Sequence, residues 1–472
     1  MSRYLDSMRK EISQPIDVGI HALELYFPKN YVDQSKLEEF DKVSPGKYTI
    51  GLGQLQMGFF CDHEDINSIC LTVLNNLLEK NQIDKSSIGY LAVGTETLVD
   101  KSKSVKTVLM NLFEENHDIE GVDIKNACYG GTQAIYSAID WVYSNWESEK
   151  RYALAVMGDV AIYAPGPARC TGGAGAFAVL IGPGAPFVFE RGLRGSYMND
   201  LYDFYKPIGG MTTDFPIVDG SLSLNSYLIA AEECYKAYCI KSKRLYNRDV
   251  SLNSFDSIMF HSPFTKLVQK TVGKLSYLDF LSNKGDYLLE GGNFNEYQSS
   301  GSDELNNNKN FINTCVKISS KIWEKKTKPN TIFNARIGNM YTSSLYSQLV
   351  ARISRLSGNS EDKNIQPFLL FSYGSGCAST MFSIRLNITN SNKESFDHVL
   401  NASIDAIKRL EERVETSPEY YTEKLLEREA LTLGGIPYTP TSLGNEEKDN
   451  LFPGTYYLKH VDSLYKREYD RY

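Results

Sequence analysis

Short apolar runs recur along the chain at IGYLAVG (88–94), YALAVMG (152–158), GAFAVLIG (175–182), SIMFH (257–261) and FLLFSYG (368–374). Each is continuous, rich in β-branched or aromatic residues and closed by glycine or a polar residue, the pattern of a strand buried on both faces. Between them the apolar period changes. Ile66, Ile69, Val73, Leu74 and Leu77 share one helical face, Val105, Val108, Leu109, Leu112 and Phe113 share another, and TQAIYSAIDWV (132–142) has the same spacing. Strands alternating with helices predict an α/β protein with a parallel-rich sheet.

Two features modify that picture. The stretch from about 283 to 310 is rich in Asn, Gly and Ser and reads as a polar surface insertion. There is also an internal echo: YALAVMGD leads to GAGAFAVLIG much as FLLFSYGSG leads to CASTMFSIRL, strand, glycine-bearing turn, strand. Two related halves would produce it.

Composition narrows the function. The 472 residues exceed one ordinary core, and a formal charge of -8 argues against general nucleic-acid binding, which needs a basic face. No window approaches the ~20 apolar residues of a membrane span, and the first residues lack the apolar core of a secretory signal and an Arg-rich leader. A soluble cytoplasmic protein without membrane attachment is expected. Eight cysteines are scattered without a CxxC pair, so neither a zinc site nor a disulfide framework is signalled.

Candidate chemistry gathers at the ends of the apolar runs. Cys128 follows GVDIKNA and precedes Tyr129, Gly130, Gly131 and a helical pattern. A helix start offers unpaired N–H groups and the positive end of the dipole, which lower a thiol pKa and hold an oxyanion, and the glycines admit a substrate to the backbone. A free cysteine is also commonly a small buried hydrophobe. Glu96 lies just past IGYLAVG, where α/β sheets bind ligands, or else it is a solvated carboxylate facing Lys101 or Lys103. His261 ends another run and reads as a site residue or a satisfied core histidine. Lys266 and Lys270, one turn apart, would meet phosphate or solvent.

Taken in order, GTETLVDKSKSVKT, NACYGGTQA, GDVAIYA, TGGAGAFAVLIGP, ERGLRG, YDFYKP, FHSPFTKLVQK, GNMYTSS and FSYGSG resemble the eukaryotic 3-hydroxy-3-methylglutaryl-CoA synthase family, from about residue 17 to the C-terminal LFPGTYYL. The resemblance implies a thiolase-like five-layered αβαβα fold of two duplicated halves. Residues 1–215 would carry the glutamate and the nucleophilic cysteine, and residues 216–472 the histidine. It implies that acetyl-CoA acylates Cys128, that Glu96 is the general acid/base, and that His261 positions and polarises acetoacetyl-CoA. The backbone N–H groups of Cys128 and Ser375 would form the oxyanion hole. By the same resemblance Asp100, Asp159 and Asp203 orient site groups and Phe204 walls the pocket. Thr171, Ser223, Lys266, Lys270 and Asn339 would contact CoA or substrate. Pro167 stands where animal members carry an Asn, Ser44-Pro45 where they carry Asp-Ala, and Cys170 where they carry a proline. A proline at 167 supplies neither a side-chain amide nor a backbone N–H. The implied enzyme is a homodimeric acyltransferase of the mevalonate and sterol pathway, with acyl-CoA substrates, no cofactor and no metal. Ketoacyl synthases and thiolases, which pair the cysteine with His and Asn or with a second Cys, are the neighbouring alternatives, and the GTET glutamate argues against them.

Overall fold

The computed structural model describes residues 14–207, 215–284, 294–297, 305–306, 308–358, 362, 365–432, 435–441 and 450–472. Its main sheet contains β1 (Gly19–Tyr26), β2 (Ile88–Gly94), β3 (Asp123–Ile124), β4 (Tyr152–Ala161), β5 (Gly173–Gly182), β6 (Phe187–Phe189), β7 (Gly195–Met198), β8 (Ser257–Phe260), β9 (Phe368–Gly374) and β10 (Ala378–Leu386). The spatial order is β8-β9-β10-β6-β1-β5-β4-β2-β3, with β7 also paired to β10. All five apolar runs are strands in it.

The order is a repeat. On one side β2 runs parallel to β4, which pairs antiparallel with β5, which pairs antiparallel with β1. On the other β8 runs parallel to β9, which pairs antiparallel with β10, which pairs antiparallel with β6 and β7. The two echoing segments are the β4–β5 and β9–β10 pairs, equivalent positions in two halves of like topology. The ladders meet where Gly19 and Ile20 pair with Val188 and Phe187.

The sheet is mixed, not parallel-rich. A strand that turns straight back through a short connection must pair antiparallel, and residues 375–377 are all that separate β9 from β10. The parallel ladders are those whose strands lead toward Glu96, Cys128 and His261. β1, at the middle of the sheet, is not among the apolar runs because His21 and Glu24 interrupt it. Glu24 is only 1% exposed and is neutralised by Arg409 Nη2 at 2.6 Å and Lys80 Nζ at 2.9 Å.

Helices α1 (Ile66–Lys80), α2 (Gly130–Glu149), α3 (Gly220–Tyr246), α4 (Thr265–Leu281), α5 (Ser344–Ile353) and α6 (Lys393–Glu411) cover and join the halves. The face read from Ile66 to Leu77 is α1, whose Asp65 cap and Ser68 form a reciprocal capping box. The face from Val105 to Phe113 is a shorter piece, one α turn at Val105–Leu109 continued by a 3-10 turn. α2 and α5 meet between the halves. The Thr132 hydroxyl lies 2.7 Å from the Tyr346 hydroxyl and donates to Ser372 Oγ of β9, also at 2.7 Å. Most of the polar stretch from 283 to 310 lies outside the described residues; of the remainder, Phe294 is buried against Tyr277 and Phe280.

The close contact of β2 with α2 depends on glycine. A Cβ on Gly94 would lie 2.5 Å from both the N and the Cα of Gly131, backbone atoms that cannot swing aside. Gly94→Ala is therefore expected to cost at least about 1–3 kcal/mol in denaturant unfolding. Gly220→Ala, whose Cβ meets nothing within 4 Å at the start of α3, should leave stability unchanged or raise it by up to about 1 kcal/mol.

Candidate active site

The strand ends bring three of the singled-out residues to one place. Glu96 follows β2 on a turn held by Asp159, the last polar residue of β4. Asp159 is 0% exposed. Its Oδ1 accepts from the Thr95 hydroxyl at 2.9 Å, the Glu96 N–H at 2.9 Å, the Thr97 N–H at 3.0 Å and the Thr97 hydroxyl at 2.8 Å. Its Oδ2 accepts from the Thr342 N–H at 3.1 Å and from the Thr342 hydroxyl, in the other half. Burial pushes this carboxyl upward, and the donors from Thr342 and Glu96 oppose that.

Cys128 sits between β3 and α2. Ala127 before it takes a φ of 44°, in the left-handed region that side chains rarely adopt, and Tyr129 N–H donates to Asn126 O at 3.1 Å to close the turn. The Asn126 amide donates to Ser375 O at 3.2 Å, fastening this turn to the β9–β10 connection. Gly374 beside it is a required glycine, since a Cβ there would stand 2.5 Å from Asn126 O and Tyr129 N. The Cys128 thiol donates to Glu96 Oε1 at 3.2 Å.

Electrostatics depart from the helix-start expectation of a lowered thiol pKa. Burial first, and the Glu96 carboxylate second, hold the Cys128 thiol well above its ordinary range. Glu96 is pushed up to about 7, chiefly by burial; Lys206 opposes the shift and Asp159 adds to it. At neutral pH the pair is thus a thiol beside a carboxylate poised to accept a proton.

His261 follows β8. Its N–H donates to Phe371 O of β9 at 2.7 Å and its carbonyl accepts from the Tyr227 hydroxyl at 2.5 Å. The residue is 3% exposed, and burial lowers the imidazole to about 3, so it is neutral at physiological pH.

A cavity of about 330 Å³ joins Cys128 and His261. Cys128, His261, Pro167, Thr171, Phe204, Ser223, Asn339 and Ser375 line it, together with Tyr163, Tyr341 and Tyr373. Glu96 and Asp100 line a second cavity of about 580 Å³, which shares Phe204 and Ser375 with the first. Phe204 is the partition, packed edge-on against Tyr341 with centroids 5.8 Å apart. Asn339 is fixed through Oδ1, which accepts from Tyr341 N–H at 2.9 Å and the Ser344 hydroxyl at 2.8 Å. Ser223 donates to Asp203 O at 2.9 Å, and Thr171 to Ala168 O at 2.7 Å.

The remaining candidates are placed differently. Asp203 is buried outside the cavity wall, where it accepts from the Tyr373 hydroxyl at 2.8 Å and Gly376 N–H at 2.9 Å, which orients the Ser375 loop. Asp100 is exposed and caps its own loop by accepting from Ser102 and Lys103 N–H, each at 2.7 Å. Lys266 and Lys270 do not line the first cavity. Lys266 N–H donates to the carbonyl of Leu52, a wall residue, while its ammonium donates to Gln269. Among the described residues no cluster of His, Cys, Asp and Glu could hold a metal ion.

Lys206 was not among the sequence candidates. Its ammonium stands 3.6 Å from Glu96 Oε2. It lies in YDFYKP, two residues after Phe204, but only the fold brings it to a glutamate 110 positions earlier. Thr342 and Tyr341, which close the site from the second half, were equally unmarked.

Comparison with known proteins follows from this geometry. Residues 14–186 match the family described as Hydroxymethylglutaryl-coenzyme A synthase N terminal, and residues 187–472 its C-terminal counterpart. The chain is 47% identical over 454 residues to hydroxymethylglutaryl-CoA synthase of Caenorhabditis elegans, covering 96% of this chain and 94% of that one. It is 44% identical to the cytoplasmic synthase of Homo sapiens (98% and 89% covered) and 44% identical to the mitochondrial synthase of Bos taurus (98% and 91% covered). Among solved structures, MvaS in complex with 3-hydroxy-3-methylglutaryl coenzyme A superposes with a TM-score of 0.78 at 27% identity, over 98% of this chain and 100% of the other. The HMG synthase of the curacin biosynthetic pathway shares the fold with a TM-score of 0.77 at 21% identity, over 96% and 100%.

Proposed function

The chain belongs to the hydroxymethylglutaryl-CoA synthase family, and from that premise we propose that Cys128, Glu96 and His261 are its catalytic residues. The enzyme condenses acetyl-CoA with acetoacetyl-CoA and hydrolyses the adduct to HMG-CoA and CoA, and so serves the mevalonate pathway. Its fold is thiolase-like, two related halves whose strands join in one mixed sheet. In this reading residues 1–215 carry Glu96 and Cys128 and residues 216–472 carry His261, with β6 and β7 of the first stretch paired into the second half's ladder.

The observation that carries the residue roles is the 3.2 Å contact between Cys128 Sγ and Glu96 Oε1 beside a cavity that His261 also lines. The Cys128 sulfur attacks the acetyl-CoA carbonyl carbon, the C–S bond to CoA breaks, and the thiol proton leaves with the CoA sulfur. In the resulting thioester the methyl hydrogens are acidic enough for a carboxylate to remove one. Glu96 takes that proton. The electron pair delocalises onto the thioester oxygen, where the backbone N–H groups of Cys128 and Ser375 serve as donors. The enolate carbon then bonds to the ketone carbon of acetoacetyl-CoA, the C=O π pair moves to the ketone oxygen, and that oxygen takes the proton held by Glu96 to become the tertiary hydroxyl. Neutral His261 polarises that ketone, the role its buried, uncharged imidazole suits. Water finally adds to the acyl carbon and the C–S bond to Cys128 breaks; one proton of the water restores the thiol, the other leaves to solvent, and the product departs as the carboxylate.

The other assignments follow the same placement. Asp159 holds the Glu96 turn, Asp203 holds Tyr373 and the Ser375 loop, and Asp100 shapes the loop after Glu96. Pro167, Thr171, Phe204, Ser223 and Asn339 contact the acyl-CoA arms, with Lys266 and Lys270 outside the cavity toward the nucleotide phosphates. The proposed cycle uses no cofactor or metal. Homodimerisation and cytoplasmic residence complete the reading. No described helix is long and apolar enough to cross a membrane, and the similar synthases include cytoplasmic and mitochondrial forms. Sedimentation of the full chain at a monomer's mass, or import of a tagged chain into mitochondria, would contradict these two points.

The decisive experiment separates the half-reactions. Purified protein is charged with labelled acetyl-CoA, scored by intact mass, then chased with acetoacetyl-CoA and scored for HMG-CoA. Wild type should do both, with a condensation rate that climbs about tenfold per pH unit below 7 and levels above it, because the base works ionised. Cys128→Ala should do neither. Glu96→Ala should still acetylate, since removing the neighbouring carboxylate makes the thiol easier to ionise, but should lose condensation by at least about 100-fold. Wild-type condensation in Glu96→Ala would make the assigned base wrong.

A further inference from the structure

Glu96 is a bridge: one oxygen faces the nucleophile and the other faces a cation. Oε1 accepts from Cys128, and Oε2 stands 3.6 Å from the Lys206 ammonium. That ammonium is itself held in place. It lies 4.8 Å from the ring centre of Tyr341 and 5.8 Å from that of Phe204, distances at which an aromatic face attracts a cation. Phe204–Tyr205 is pinned in turn by antiparallel pairing with Ile217–Val218. Lys206 therefore reaches Glu96 from a supported position rather than as a loose surface side chain, and only 20% of its side chain is exposed.

The charge around Glu96 explains why a cation there matters. Its side chain is 6% exposed. From β4, Asp159 presents a like charge; from the turn before α2, Cys128 presents a thiol; from the other half and the β4–β5 connection, Tyr341 and Tyr163 present hydroxyls. Across the second cavity lie Asp100, Lys101, Lys125 and Asp200. Burial and Asp159 both favour a protonated Glu96, which cannot remove a proton from carbon. Lys206, 3.6 Å from Oε2, acts in the opposite sense as the largest such influence, with the Cys128 thiol at Oε1 acting alongside it.

We propose that Lys206 is a positioning residue for the condensation: by pairing with Oε2 it keeps Glu96 ionised and turned so that Oε1 receives the methyl proton of the acetyl group on Cys128. The C–H electron pair goes into the enolate and the proton goes to Glu96, while Lys206 itself exchanges neither. This rests on the function proposed above and adds the residue that sets the pH at which its base operates.

Two readouts test it. In the first, the carboxyl infrared band of Glu96, identified by its loss in Glu96→Gln, is titrated in wild type, Lys206→Met and Lys206→Arg without any substrate. The midpoint should rise by at least about one pH unit in Lys206→Met, and Lys206→Arg should stay near wild type. In the second, acetyl-enzyme formed from labelled acetyl-CoA is mixed with acetoacetyl-CoA across pH. Lys206→Met should condense about tenfold more slowly at pH 7 and recover toward wild type at high pH. An unmoved infrared midpoint, or an equal loss of rate at every pH, would overturn the proposal. If wild type forms no acetyl-enzyme, the proposed function fails, and the infrared midpoint still decides the role of Lys206.

Discussion

One buried carboxylate ties the two halves of this protein together at the point where its proposed catalytic residues meet. Asp159 has no exposure to solvent, and its two oxygens divide their partners by half: Oδ1 gathers Thr95, Glu96 and Thr97, and Oδ2 gathers Thr342. A buried carboxylate is tolerated only when such donors surround it. The consequence is geometric. The turn after β2 cannot move without dragging the loop before α5, so Glu96 is held facing the turn that presents Cys128.

The site combines groups whose charge states burial pushes in different directions. Cys128 is held as a thiol, Glu96 is brought to about 7, and His261 is kept neutral down to about 3. Each shift has burial as its largest cause, yet the three outcomes suit an acyl acceptor, a proton acceptor and an uncharged polarising group. The same low-exposure cavity that produces the shifts also provides the wall of aromatic rings, Phe204, Tyr163 and Tyr341, against which acyl groups can pack.

Much of this was legible in the chain. The five apolar runs became strands because each is buried on both faces, and periodicity reports that directly. Cys128, Glu96 and His261 are legible as candidate chemistry at strand ends, and the roles proposed for them come from the family motifs, since position alone leaves them open. What stayed hidden was hidden for physical reasons. β1 reads as broken because its Glu24 is neutralised by Arg409 and Lys80 from distant helices. Lys206 and Thr342 have ordinary local contexts and acquire meaning only through contacts with residues more than a hundred positions away. The thiol departs from the helix-start expectation because the fold buries it, first, and sets a carboxylate beside it, second. The parallel-rich sheet failed for a similar reason, since apolar runs carry no record of direction.

The claim that most of the account rests on is that Asp159 keeps Glu96 in working register with Cys128. The most direct measurement is a labelled acetyl-CoA pulse followed by an acetoacetyl-CoA chase on Asp159→Asn, a change that keeps size but removes the charge and one acceptor. Acetyl-Cys128 that accumulates while its consumption slows by about 100-fold would bear out the clamp, because a small misplacement of a base has that effect. Turnover of the acetyl-enzyme at the wild-type rate would show that Glu96 is held by something else.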